Sequence, residues 1–198
     1  MTTGKSEVSL RVAKPIAEAL RAILEPSCQR IVVAGSVRRD KTMVGDIELL
    51  AVPLATEQTD LFGGPVGSQS MLDLKLESLC TYDPNWSWDA HQPRRGEKWK
   101  RVTHVPSGLN VDIFVTTIRA WAGNLLIRTG PSAFGVHVVS TARRMNMHFA
   151  DGFLLHRHPG PCSRGPACDL IIDVTTEEEL MEALQLPWRT PQQRTGFR

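Results

Sequence analysis

The chain has 198 residues, 41% hydrophobic and 22% charged, with a formal net charge of +2 and an isoelectric point near 8.4. That size and balance suit one globular unit or two small lobes around a continuous core, and the mild charge does not by itself mark a nucleic-acid binder. No secretory signal and no apolar run long enough to span a bilayer is present, which points to a cytoplasmic protein with no membrane partner, its four cysteines reduced.

In chain order, Ser9 to Leu24 carries Leu10, Ala13, Ile16, Ala17, Leu20, Ile23 and Leu24 at helical spacing and predicts a helix packed behind a sheet. Ile31 to Ala34 is a β-branched apolar run, and Ile47, Leu49 and Leu50 begin a second one, so the first region reads strand, glycine turn, irregular segment, strand. Ala55 to Gln69 is polar and glycine-containing and reads as an exposed loop. Met71, Leu72, Leu74, Leu76 and Leu79 predict a helix over 71–80, and 81–97 reads as a loop rich in Trp, Pro and Asp. Leu109 to Val115 is strongly β-prone. Helices are expected over 120–126 and 131–145, then a hairpin, then a last helix from Thr176 to Gln185. No internal repeat is evident.

The chemistry lies in the stretch from Gly35 to Glu48. Side chains alternate faces along a strand, so Asp46 and Glu48 point to one side while Ile47 and Leu49 point to the other. Two carboxylates held that close repel unless cations neutralise them, and hard divalent ions take carboxylate and phosphate oxygens together. Gly35 lets backbone N–H groups approach an anion, Ser36 offers a hydroxyl, and Arg39 a forked guanidinium suited to phosphate. A third carboxylate, Asp112, sits inside the apolar run 109–115, where a charge is costly without a partner. A metal shared with Asp46 and Glu48 would supply one.

These residues resemble the polymerase beta superfamily of nucleotidyltransferases, and within it the family X DNA polymerases. The family's Gly-Ser-x-Arg-Arg...Gly-Asp-x-Asp pattern matches Gly35, Ser36, Arg38, Arg39, Gly45 and Asp46, with Glu48 at the second carboxylate and Asp112 at the third. Leu125-Leu126-Ile127-Arg128-Thr129-Gly130 is similar to the segment where the family's thumb begins. Thr176 to Arg189 and Pro191 to Arg194 resemble its C-terminal ending, so the likeness runs from about residue 10 to 194. The Gly-Asp-Ile-Glu variant is similar to the short form found in phages and bacteria.

The resemblance implies an α+β fold: a nucleotidyltransferase palm over 1–120, with a mixed twisted β-sheet backed by helices, and a small α/β thumb over 121–198. It implies two Mg²⁺ ions, replaceable by Mn²⁺, on Asp46, Glu48 and Asp112. Gly35, Ser36, Arg39 and Gly45 would take the triphosphate, and Ile127, Arg128, Thr129 and Gly130 would face the nucleotide sugar and base. The implied activity is addition of a nucleoside triphosphate to a DNA primer 3′-hydroxyl, in repair or replication, by a monomer. Two rival readings are a template-independent nucleotidyltransferase acting on RNA or protein, and a non-catalytic adaptor bound to the sliding clamp.

Three departures from the family pattern stand out. Glu48 is one methylene longer than the usual Asp, and Ile127 and Arg128 replace an aromatic pair before Thr-Gly. About thirty residues precede the glycine turn, too few for the family's lyase and helix-hairpin-helix segments. Proline after Gly130 lowers the cost of a cis peptide to about 0.5 to 1 kcal/mol, so a cis Gly130-Pro131 bond is expected.

Three further features are left over. Arg94, Arg95, Lys98, Lys100 and Arg101 cluster around Trp99, and Lys98 and Lys100 are the first choices for triphosphate contacts. Gln58-Thr59-Asp60-Leu61-Phe62 resembles the bacterial sliding-clamp pentapeptide, with Gln58, Asp60, Leu61 and Phe62 as the clamp-binding residues. His156, His158, Cys162 and Cys168 lie in a Pro/Gly-rich stretch as a zinc candidate, although the spacing is not a standard one and a plain hairpin loop is the commoner reading.

Overall fold

The computed structural model describes residues 7–59, 64–90 and 94–195. In chain order the elements are β1 (Val8–Ser9), α1 (Leu10–Leu24), β2 (Cys28–Val33), α2 (Gly35–Arg38), β3 (Met43–Val44), β4 (Ile47–Pro53), β5 (Ala55–Thr59), β6 (Pro65–Ser70) and α3 (Met71–Tyr82). There follow β7 (Trp86–Trp88), β8 (Trp99–His104), β9 (Leu109–Val115), α4 (Trp121–Thr129), α5 (Ser132–Arg144), β10 (His148–Ala150), β11 (Leu154–His156) and α6 (Glu177–Ala183). They form two compact units: Met1–Val33 with Thr42–Val115, and Ala34–Lys41 with Thr116–Arg198.

The first unit is built on a five-stranded sheet in the order β2-β4-β9-β8-β7. It is mixed: β4 and β9 run parallel, and the other neighbours are antiparallel. The two parallel strands are the most apolar because a central strand is covered on both faces, and Ile47, Leu49, Val111 and Ile113 are fully buried. Helix α1 buries Ala13, Ala17, Leu20 and Leu24, one stripe of an amphipathic helix, and α3 begins on Ser70, whose hydroxyl accepts from the Asp73 N–H at 3.2 Å.

The second unit packs α4, α5 and α6 with the β10-β11 hairpin around Leu126, Phe134, Val138, Leu155, Leu180 and Met181. A capping box at Thr176 and Glu179 starts α6. Two close approaches need glycine. A Cβ on Gly123 would lie 2.0 Å from the Phe153 carbonyl oxygen, and one on Gly130 2.3 Å from Cδ1 of Phe134.

Several elements differ from the sequence-based expectation. The stretch 55–69 is a β-hairpin, with β5 paired antiparallel to β6 from Ala55↔Ser70 onward, because backbone ladders form without an apolar pattern. Within the expected loop 81–97, Trp86-Ser87-Trp88 alternates with period two and pairs with β8 as an edge strand. Trp86 is buried against His104, ring centroids 4.9 Å apart. The glycine turn is a single helical turn with Gly35 at φ +61°. Among the described residues no peptide bond is cis, so Gly130-Pro131 is trans. Gly130 caps α4 in an extended conformation (φ −75°, ψ 157°) that a trans bond continues into Pro131.

Candidate active site

The parallel pairing of β4 with β9 places Glu48 directly opposite Asp112 in register. On both strands the flanking residues, Ile47 and Leu49, Val111 and Ile113, turn into the core, so both carboxylates emerge on the other face. Asp46 stands two residues ahead of Glu48, at the mouth of β4, with Gly45 just before it.

Strand β8 brings a cation to the same face. Arg101 is the antiparallel register partner of Asp112, donating from Nε to Oδ1 at 2.6 Å and from a terminal nitrogen to Oδ2 at 2.8 Å. The Trp99 indole N–H donates to the same Oδ1 at 3.0 Å. The bond to Asp112 is the largest influence holding the Arg101 guanidinium above its ordinary pKa, and the charges of Asp112, Asp89 and Asp46 add to it. Asp89 is itself buried, its carboxylate 3.8 Å from Arg101. One guanidinium therefore sits among several acids, a role that sequence reading missed. Its only signal was Arg101 sharing strand parity with an acidic partner.

Glu48 and Asp112 set carboxylate oxygens, the donor type that hard divalent cations take, on facing strands, and Arg101 and Trp99 fix the orientation of Asp112.

Lys100 points to the opposite face. It is 2% exposed, and its ammonium pairs with Asp73 at 2.6 Å and donates to the Gly96 carbonyl at 2.8 Å beneath α3, which removes it from the candidate phosphate contacts. Lys98 is exposed. Around it, Arg94 lies over the Trp99 ring at 4.6 Å and Arg95 over the Trp88 ring at 4.4 Å. Gln58 takes part in the β5–β6 pairing opposite Gly67, whereas Asp60, Leu61 and Phe62 lie outside the described residues.

In the second unit the glycine turn meets the end of α4. Arg38 donates to the Thr129 hydroxyl at 2.6 Å, and Arg39 to the Thr129 carbonyl, so Thr129 is fully buried beside α2. Gly35 is buried and Ser36 half-buried, its carbonyl accepting from the Lys41 N–H. Ile127 lines a groove with Val136, Val139 and Arg143 on α5. Arg128, half-buried in the last turn of α4, precedes Thr129 and the Gly130 cap.

The anchor is Glu177, buried at the start of α6. It takes two bonds from Arg38 (2.9 and 2.6 Å) and one from Arg194 (2.6 Å). Burial pushes its carboxyl up, yet the bonds and charges of the two arginines outweigh that and hold it below the usual carboxylate range. Burial pulls the fully buried Arg194 down, and an arginine nonetheless stays charged. The same unit brings together His156, His158, Cys162 and Cys168, with ligand atoms within 4.8 Å of one another.

Residues 124–195 match the family model of the DNA polymerase beta thumb. The fold is similar to that of polymerase beta from Leishmania infantum in its ternary P/T complex, with a TM-score of 0.69 and 17% identity, over 96% of this chain and 77% of that one. It is equally similar to the same organism's polymerase beta in a ternary gap complex, with a TM-score of 0.71 and 16% identity, over 96% of this chain and 71% of that one. No curated protein matches the sequence.

The chain thus has the mixed α+β fold of polymerase beta. Within it, residues 124–195 are similar to the DNA polymerase beta thumb.

Proposed function

We propose that the chain is a metal-dependent nucleotidyltransferase, a DNA polymerase of family X type that adds nucleotides to a primer 3′-hydroxyl in DNA repair or replication. The observation that carries this is the register pairing of Glu48 with Asp112, with Asp46 two residues upstream of Glu48, just ahead of the strand.

Asp46 and Glu48 would hold both divalent ions, Mg²⁺ or Mn²⁺, and Asp112 the one nearer the primer. Such ions supply acidification of the primer hydroxyl and neutralisation of charge on the triphosphate. Asp112 is oriented by Arg101 and Trp99, so its oxygens are presented in one geometry. Gly35, Ser36, Arg39, Gly45 and Lys98 would contact the triphosphate, and Ile127, Arg128 and Gly130 the sugar and base, while the fully buried Thr129, bonded to Arg38 and Arg39, is withdrawn from these contacts. The complexes in which the Leishmania enzyme was solved support a DNA primer and template as the partner. Exposed Arg94, Arg95, Arg143 and Arg144 suit a phosphate backbone.

The test is extension of a primed template with each nucleotide singly, in Mg²⁺ and in Mn²⁺. The proposal requires incorporation of the templated nucleotide and its loss in Asp112→Ala. Incorporation that ignores the template would favour the template-independent alternative. No incorporation with either ion would leave a non-catalytic adaptor.

A further inference from the structure

The second unit holds a constellation that the carboxylate chemistry does not use. After β11 the chain leaves at His156 and returns to the same strand at Ile171, where His156 and Ile171 form an isolated bridge and the Ile172 N–H donates to the Leu155 carbonyl at 2.8 Å. The excursion between them contains one short 3₁₀ turn, Gly165–Ala167, and is rich in Pro, Gly and Ser. A segment of that length and composition has little apolar surface with which to hold itself in place.

It carries four soft or borderline ligands at its departure, middle and return. His156 and His158 are two residues apart at the end of a strand, the spacing that sends both to one side. Cys162 and Cys168 come back to them, and all four ligand atoms lie within 4.8 Å of one another. Cys168 Sγ is 3.7 Å from Nε2 of His158, against about 3.6 Å for the S···N edge of a tetrahedral zinc site with ordinary bond lengths. Both cysteines are free, Cys168 is 4% exposed, and the Leu170 N–H donates to its sulfur at 3.4 Å.

His156 supplies the second, independent observation. Its ring is fully buried and neither nitrogen makes a hydrogen bond. An imidazole buried that way is costly unless something binds it. Its Nε2 is 3.4 Å from the Asp151 carboxylate, which leaves Nδ1 for a cation and gives the carboxylate–histidine–metal relay common around metal sites. His148 stacks on His156 with centroids 4.8 Å apart, and its Nδ1 bonds the His158 carbonyl at 2.7 Å, holding both rings from behind.

We propose that His156, His158, Cys162 and Cys168 form a structural Zn²⁺ site that fastens the 157–170 segment of the second unit. Two nitrogens and two sulfurs in tetrahedral disposition select zinc over the hard ions of the carboxylate centre. On binding, both thiols lose their protons to solvent, and two thiolates cancel the charge of the ion beside the apolar Ala120, Leu154 and Ile171. The inference stands apart from the nucleotidyltransferase reading and survives its failure.

The test uses the full chain, expressed with zinc and purified without chelator. Elemental analysis should give one zinc per chain, retained through dialysis into Mg²⁺ buffer. Replacement by Co²⁺ should give the visible absorption of tetrahedral cobalt with a thiolate charge-transfer band. Cys162→Ser with Cys168→Ser should lose both signals, whereas Glu48→Gln should keep them. Zinc well below one per chain with a six-coordinate cobalt spectrum would overturn the proposal. So would zinc kept by the double cysteine variant, or a Cys162–Cys168 disulfide seen as a mass two hydrogens light. The cobalt spectrum of the parent chain decides the matter even where a variant does not fold.

Discussion

Arg101 and Asp112 face one another across the β8–β9 pair and are joined by two hydrogen bonds of 2.6 and 2.8 Å. The guanidinium neutralises a carboxylate that is only 4% exposed and that would otherwise be costly to bury. A cation bound by Asp112 must share it with Arg101.

Arg101→Ala should therefore leave Asp112 without its partner and destabilise the first unit by about 3 kcal/mol or more. A divalent cation should recover part of that loss. Thermal melts of parent and variant with and without Mg²⁺ check this, and an Mg²⁺-induced rise in Tm no larger in the variant would contradict the sharing.

Glu48 offers a graded test of the carboxylate pair. Glu48→Gln removes a charged ligand and should lower incorporation by about 10³-fold, several kcal/mol of transition-state stabilisation. Glu48→Asp keeps the charge on a shorter arm, so single-turnover rates should remain within about tenfold of the parent while the ratio of Mn²⁺ to Mg²⁺ activity shifts.

Glu177 joins Arg38 to Arg194 inside the second unit. Glu177→Gln leaves two guanidinium groups without their counter-charge and should cost about 3 to 5 kcal/mol in denaturant unfolding. The folded-state carboxyl lies below its ordinary 4.5, so its contribution is complete above that pH and fades as pH falls through the lowered folded value. The parent should lose stability on acidification more steeply than the glutamine variant, which lacks this titration.

Gly130→Ala would drive a methyl to 2.3 Å from Cδ1 of Phe134, and Gly123→Ala one to 2.0 Å from a carbonyl oxygen. The phenyl ring can shift and the backbone cannot. Gly130→Ala should cost about 1 to 3 kcal/mol and Gly123→Ala more, measured as denaturant midpoints with unchanged slope.

What the sequence disclosed followed local periodicity. Helix α1 and the strands through Ile47 and Val111 were legible because each pattern repeats within a few residues, whereas Asp46 falls one residue short of the strand expected to carry it. The register that sets Glu48 opposite Asp112 was not legible, since parallel register is set by packing between distant segments. Hairpin β5–β6 was hidden by polar, glycine-containing strands whose ladder uses the backbone. The inward turn of Lys100 follows from strand parity, but a basic cluster read as composition conceals it. Glu177 was invisible as an anchor because its arginines lie 139 and 17 residues away.

The grouping of Ala34–Lys41 with the later residues has a consequence for dissection. The polypeptide crosses between its units three times, after Val33, after Lys41 and after Val115. No single scission yields two native halves: a fragment beginning at Thr116 forfeits Arg38, and with it one of the two guanidiniums that hold Glu177.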